Sequence, residues 1–139
     1  MRDENCGYCA GGEKLAAFGI KICDLSVSQL ILFKEQSHPG RCIVAYKDHV
    51  SELTDISAQD RQAFFEDVAR AARAIHAAFR PDKVNYGAYG DTGCHLHFHL
   101  VPKYRDGFEW GGVFAMNPGR VYLTDSEYSE MIARIKANL

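Results

Sequence analysis

The sequence predicts an α+β fold, an antiparallel sheet of about five strands with two main helices. Three observations carry that expectation. Two stretches repeat apolar residues at helical spacing behind good N-cap residues. Short runs rich in β-branched, aromatic and aliphatic residues fill much of the remainder, separated by Gly-containing breaks at His38-Pro39-Gly40 and Gly90-Asp91-Thr92-Gly93. The order is strands, helix, strands, helix, which fits a grouped antiparallel sheet better than the alternation of a parallel one. The 139 residues fit a single domain over 1–139, with a CxxC-bearing segment at 1–14 and a tail plus helix at 104–139.

Leu15–Ile22 is a candidate first strand, followed by strands over Ser26–Phe33 and Arg41–Lys47. Ser57 is a good N-cap for the first helix, and Asp60 at its third position favours the positive end of the dipole. Phe64, Val68, Ala72, Ile75 and Phe79 then form an apolar stripe that Pro81 stops. Strands over Lys83–Tyr89 and His95–Lys103 come next. Pro102 has no N–H to give a ladder, so the second of these is expected to end, or to lie at a sheet edge, near that residue. Thr124-Asp125-Ser126-Glu127 is a capping-box pattern that opens the second helix, with Tyr128, Met131, Ile132, Ile135 and Leu139 as its apolar stripe. Both helices are expected to pack on one face of the sheet.

A hydrophobic share of 47% excludes disorder, collagen-like repeats and a coiled-coil rod. Sixteen Lys and Arg against 18 Asp and Glu give a net charge of −2, which argues against nucleic acid as the main partner. A small anionic ligand needs only a local cluster of donors. No apolar run approaches the roughly 20 residues of a membrane span, so no membrane partner is expected. The first residues lack the apolar core of a secretory signal, and five cysteines are an odd set. Free thiols or thiolate ligands, and a cytoplasmic location, follow as expectations.

The segment His95-Leu96-His97-Phe98-His99-Leu100-Val101 is the most informative in the chain. On a strand its three histidines share one face, about 7 Å apart, and Leu96, Phe98 and Leu100 share the other. An imidazole attacks as a nucleophile when neutral and donates to negative charge when protonated, and both forms are accessible near neutral pH. Histidine is too scarce, at six in the chain, to fill three alternate positions casually. By contrast His76 reads as a helix-surface or satisfied residue, His38 as a turn residue, and Cys94 as a small buried apolar one. Cys6-Gly7-Tyr8-Cys9 is a CxxC pair that can grip one tetrahedral zinc. The competing readings are a redox pair, which lacks a preceding strand and a helix starting at the motif, and a loose thiol pair. Trp110, with Phe108 and Phe114, either covers a pocket or packs as ordinary core or interface aromatics.

All seven positions of that segment match the His-φ-His-φ-His-φ-φ signature (φ apolar) of the histidine triad (HIT) family, which the chain resembles from about Leu30 through Pro118. Lys47-Asp48-His49 resembles the end of the family's preceding strand. Asn85-Tyr86-Gly87, Gly90-Asp91 and Glu109-Trp110-Gly111-Gly112 resemble the diadenosine-polyphosphate-hydrolase-like or nucleoside-phosphoramidase-like branch. The resemblance implies a hydrolase or transferase acting at the α-phosphate of a nucleotide, most simply an adenine nucleotide, such as a phosphoramidate or dinucleoside polyphosphate. His97 would be the nucleophile that becomes nucleotidylated, His99 would bind phosphate oxygens and assist the leaving group, and His95 would orient the site. Thr92 would offer a hydroxyl, Asn85 a phosphate contact, Glu35 a ribose contact, and Trp110 a cover for the nucleotide. Asp91 stands where many relatives carry an amide and would repel a polyphosphate. Zinc, where bound, would be structural and held by Cys6, Cys9, His49 and His95. The resemblance implies no organic cofactor and implies a homodimer. Lys103 and Arg105 would add donors for phosphate. Two other readings stay open: a zinc-dependent hydrolase with all three histidines on a catalytic metal, and a non-catalytic nucleotide-binding module.

Overall fold

Continuous apolar runs become the centre of a sheet in the computed structural model, which describes residues 2–139. Two short helices, α1 (Gly7–Ala10) and α2 (Gly12–Ala16), lead into β1 (Gly19–Asp24), β2 (Ser28–Phe33) and β3 (Cys42–Tyr46). The long helix α3 (Ala58–Phe79), β4 (Lys83–Gly87), β5 (His97–Lys103) and α4 (Asp125–Ala137) follow. The five strands are all antiparallel, in the order β1-β2-β3-β5-β4. Every residue of β3 is buried, as expected for a central strand covered on both faces.

The covering differs between the faces. Leu30, Leu32, Cys42, Val44, Leu96 and Leu100 meet the apolar stripes of α3 and α4 in the larger core. Ser57 caps α3 by accepting from the Asp60 N–H at 3.0 Å. The Thr124–Glu127 capping box opens α4 as its sequence requires. The buried Asp67 of α3 accepts from the Ser26 and Val27 N–H groups and from the Ser28 hydroxyl, at 3.1, 2.9 and 2.6 Å. These bonds tie the helix to the β1–β2 turn. On the other face a smaller cluster of Leu15, Ile31, Phe33, Ile43 and Ala45 packs with Tyr8 and Phe18. Helices therefore cover both faces, because the N-terminal segment folds over the side opposite α3 and α4.

One expectation is corrected and another is met. Leu15 and Ala16 belong to α2, and the first strand begins only at Gly19. At Gly19 a Cβ would lie 2.6 Å from Ile31 Cγ2, so a bare backbone allows β1 to approach β2. β5 is an interior strand that ends at Lys103, one residue past Pro102, as expected, and Pro102 itself pairs with Val84 of β4. It is tolerated because the β3 pairing stops at Leu100, so the ladder on that side has already run out. Among the described residues no helix is long and apolar enough to cross a membrane.

Candidate active site and metal centre

The alternation of β5 delivers the expected segregation. Leu96 and Leu100 enter the larger core, while His95, His97 and His99 are buried on the opposite face at 2%, 8% and 3% exposure. They line a cavity of about 750 Å³ whose rim is the 89–94 loop and whose floor includes Phe33 and Ile43. Gly87 of β4 pairs with His99, and a Cβ there would meet Phe114 and Tyr89 at 2.7 Å. That position must stay bare for the two rings to close beside the histidines.

The partners of each imidazole dictate where its proton sits, because a backbone carbonyl accepts and a guanidinium only donates. His95 donates Nε2–H to the Tyr46 carbonyl at 2.6 Å, so its Nδ1 lone pair is free to ligate. His97 donates Nδ1–H to the His95 carbonyl at 2.5 Å, so its nucleophilic lone pair lies on Nε2. His99 Nδ1 accepts from Arg41 Nη2 at 3.1 Å, so Nε2 carries its proton. Burial pushes all three imidazoles below their ordinary pKa, and for His99 burial, the Arg41 charge and His97 together lower it to about 3. All three are therefore neutral near pH 7. Tyr8 rests on this array, its ring 5.2 Å from that of His95 and 5.0 Å from that of His97.

Cys6, Cys9, His49 and His95 offer ligand atoms that all lie within 4.8 Å of one another. His95 Nδ1 is 3.5 Å from both Cys6 Sγ and Cys9 Sγ, and His49 Nδ1 is 3.4 Å from Cys9 Sγ. A tetrahedral zinc with Zn–S near 2.3 Å and Zn–N near 2.0 Å sets S···N edges of about 3.5 Å. The donor set, two thiols and two imidazoles, therefore fits zinc in both chemistry and size. Burial raises the Cys6 thiol, outweighing the lowering by the Cys9 and Tyr8 N–H groups, and a cation between the two sulfurs would favour the thiolate instead. Asp3 lies 4.0 Å from His49 Nε2, on the side away from the cluster. The one-turn helix α1 begins inside the CxxC motif with Cys6 as its N-cap, contrary to the expectation that no helix starts there.

The three histidines do not converge on a common metal position. Only His95 joins the cluster, while the Nδ1 atoms of His97 and His99 are held by the His95 carbonyl and Arg41. Asp91 and Thr92 line the same cavity as the three histidines. Glu35, Asn85 and Trp110 are placed elsewhere. The Glu35 carboxylate is fully used by the N–H groups of Ser37, Arg120 and Val121 and by the Ser37 hydroxyl. Asn85 and Trp110 line a separate depression with Lys83 and Lys103. The buried Lys103 ammonium donates to the carbonyls of Glu109 and Gly112 at 2.8 Å, and Arg105 lies over Trp110. Neither cation lines the histidine cavity.

Cys94 is exposed and lines the cavity, so it is not a buried packing residue. His38 is buried rather than a mere turn residue, with Nε2 2.7 Å from Glu109 Oε1, whereas His76 sits on the helix surface as expected. Phe114 is buried 6.2 Å from His99, and Phe108 packs on His38. Sequence reasoning missed Arg41. A charge at the head of the apolar run Cys42–Tyr46 was the available signal.

The HIT domain family model matches residues 21–106 of the chain. The chain is 27% identical over 119 residues to Protein hit of Bacillus subtilis strain 168, covering 80% of this chain and 79% of that one. A histidine triad protein of Sinorhizobium meliloti 1021 superposes with a TM-score of 0.84 at 23% identity, over 92% of this chain and 95% of that chain. A zinc-bound histidine triad family protein of Mycobacterium smegmatis superposes with a TM-score of 0.61 at 24% identity, over 86% and 83% of the two chains.

Proposed function

The chain belongs to the HIT domain family, and on that premise we propose that it is a nucleotide hydrolase or transferase working through a nucleotidyl-histidine on His97. The observation that carries this reading is the proton placement at His97. With Nδ1–H held by the His95 carbonyl, Nε2 presents a lone pair without any base to deprotonate it. That lone pair forms a bond to the α-phosphorus of an adenine nucleotide while the bond to the leaving group breaks. Water then attacks the same phosphorus, the N–P bond breaks, its electron pair returns to Nε2, and the water proton passes to solvent. His99 donates Nε2–H to phosphoryl oxygen, and the Thr92 hydroxyl and Asp91 face the same cavity. The enzyme's substrates are nucleoside phosphoramidates or dinucleoside polyphosphates, as in the diadenosine-polyphosphate-hydrolase-like branch.

His95 fixes the main chain that holds His97, and zinc on Cys6, Cys9, His49 and His95 would lock that support and the N-terminal segment together. Its role is structural. We propose further that the protein is cytoplasmic, supported by five unpaired cysteines, and homodimeric. Support for the dimer is the open edge of the sheet at β4, where Tyr86 is 51% exposed. The test is substitution of the nucleophile. His97→Ala is expected to abolish AMP release from adenylate substrates while the circular dichroism spectrum and melting profile stay those of the parent. Turnover persisting in that variant overturns the assignment.

A further inference from the structure

Arg41 is an unusual neighbour for a catalytic imidazole. It is completely buried, between the rings of Phe33 and Phe114 at 4.2 and 5.1 Å from their centroids. Its guanidinium donates to the carbonyls of Ala115 and Met116 at 3.1 and 2.9 Å and to His99 Nδ1 at 3.1 Å. Among the described residues no carboxylate pairs with it, and its Nε has no partner at all. Glu35, Glu109 and Tyr89 act on it only from farther away. A buried cation held by neutral groups favours an anion close by, and its partner His99 lines the histidine cavity.

We propose that Arg41 is a positioning residue that fixes His99 as a neutral Nε2–H donor, and that this makes the site selective for leaving groups that depart as stable oxyanions. The proposal rests on the nucleotidyl-histidine reading above. A guanidinium has only donors, so while it holds Nδ1 the imidazole cannot take a second proton there. The titratable groups facing His99 are Arg41 from the head of β3 and His97 from its own strand; Phe33 and Phe114 close the remaining sides. None of these is a carboxylate that would favour an imidazolium.

The consequence follows from proton and electron balance. When His97 Nε2 bonds to phosphorus, the bond to the leaving group breaks and its electron pair goes to the leaving atom. A phosphate, carboxylate or phenolate oxygen accepts that pair and leaves without a proton. An amine nitrogen needs a proton as it leaves. Neutral His99 could supply one only by becoming an imidazolate, and nucleotidylated His97 keeps its Nδ1–H on a carbonyl. The favoured class is therefore anhydrides and activated esters of a nucleoside 5′-phosphate, with phosphoramidates disfavoured. His99 stabilises charge on oxygen, with the Arg41 cation behind it, and does not act as the acid.

The test compares two probes with the same adenylate half, adenosine 5′-(p-nitrophenyl phosphate) and adenosine 5′-phosphoramidate, in the parent protein and in Arg41→Met. The parent is expected to favour the aryl ester in kcat/KM. Arg41→Met is expected to lose about a hundredfold in kcat on the ester and to shift the ratio at pH 6 toward the phosphoramidate by about tenfold, because the freed Nδ1 can then be protonated. Arg41→Lys, which keeps the charge and one donor, is expected to recover part of the ester rate. Imidazole ¹⁵N NMR of the parent reads the tautomer without any turnover and without a variant that must fold. It should show His99 protonated at Nε2 and unprotonated at Nδ1 at pH 6. A His99 protonated at Nδ1, or a parent that favours the phosphoramidate, overturns the proposal while leaving the His97 reading intact. Turnover of neither probe overturns both the enzyme reading and the leaving-group preference.

Discussion

The two ends of the histidine strand are built from opposite materials. At the His95 end sit two thiols and a second imidazole, a donor set that calls for a cation. At the His99 end sits a buried cation with only neutral partners, a site that calls for an anion. The same side chain, repeated at a two-residue spacing, is therefore given different work by what its ring nitrogens touch. His97 lies between the two ends, with its Nδ1 tied to the main chain and its Nε2 lone pair free. Residue type and alternation place three imidazoles on one face, whereas their roles come from partners distant in sequence.

The division can be broken at several points. The largest effect is expected at the centre. His97→Ala should lower AMP release by at least about a thousandfold, measured by steady-state kinetics, with no change in the fold. Next is the cation end, where Arg41→Met should cost about a hundredfold in kcat on the aryl ester.

Metal removal should act differently. Treatment with a chelator, or Cys6→Ser with Cys9→Ser, should lower the melting temperature by several degrees and release about one zinc per chain by elemental analysis. The rate per folded molecule should fall less than about tenfold. Activity vanishing with the metal while the fold persists would favour a catalytic metal and break the division.

The smallest effect concerns the 115–121 segment, which supplies the Ala115 and Met116 carbonyls to Arg41. Burial alone would raise the Glu35 carboxyl, but the N–H groups of Val121, Ser37 and Arg120 outweigh it and hold the carboxyl below its ordinary value. A depressed folded-state value means that this contribution to stability is present above the unfolded pKa of about 4.3 and is lost as pH falls through the folded one. Glu35→Gln should therefore destabilise by about 1–2 kcal/mol at pH 7 in urea melts, and the difference from the parent should shrink as pH falls below about 4.3.

Much of this architecture was legible in the sequence because periodicity is local. The α3 stripe, the Thr124–Glu127 box and the alternation through His95–His99 each needed only residues within a few positions. Cys6, Cys9 and His49 could be grouped with His95 through the family resemblance, although 89 residues separate Cys6 from His95. Contacts made across the fold were not legible in this way. Nothing near Glu35 in sequence signals that the N–H groups of Arg120 and Val121 occupy its carboxylate. Lys103 looked like a phosphate donor, yet its strand position turns it under the 109–112 loop. Arg41 carried no motif, since its meaning arises only where β3 starts beside His99 and Phe114 closes over both. Short N-terminal helices escaped because α1 and α2 span only four and five residues, too few for a helical period to register.

In the mechanism proposed here, the His97 Nε2 lone pair is the nucleophile. The most direct test is tandem mass spectrometry of the protein acid-quenched within its first turnovers of adenosine 5′-(p-nitrophenyl phosphate). An adenylate on His97 in the parent, absent in His97→Ala, is the predicted result. An adenylate on any other residue, or rapid turnover with none trapped on His97, would contradict it.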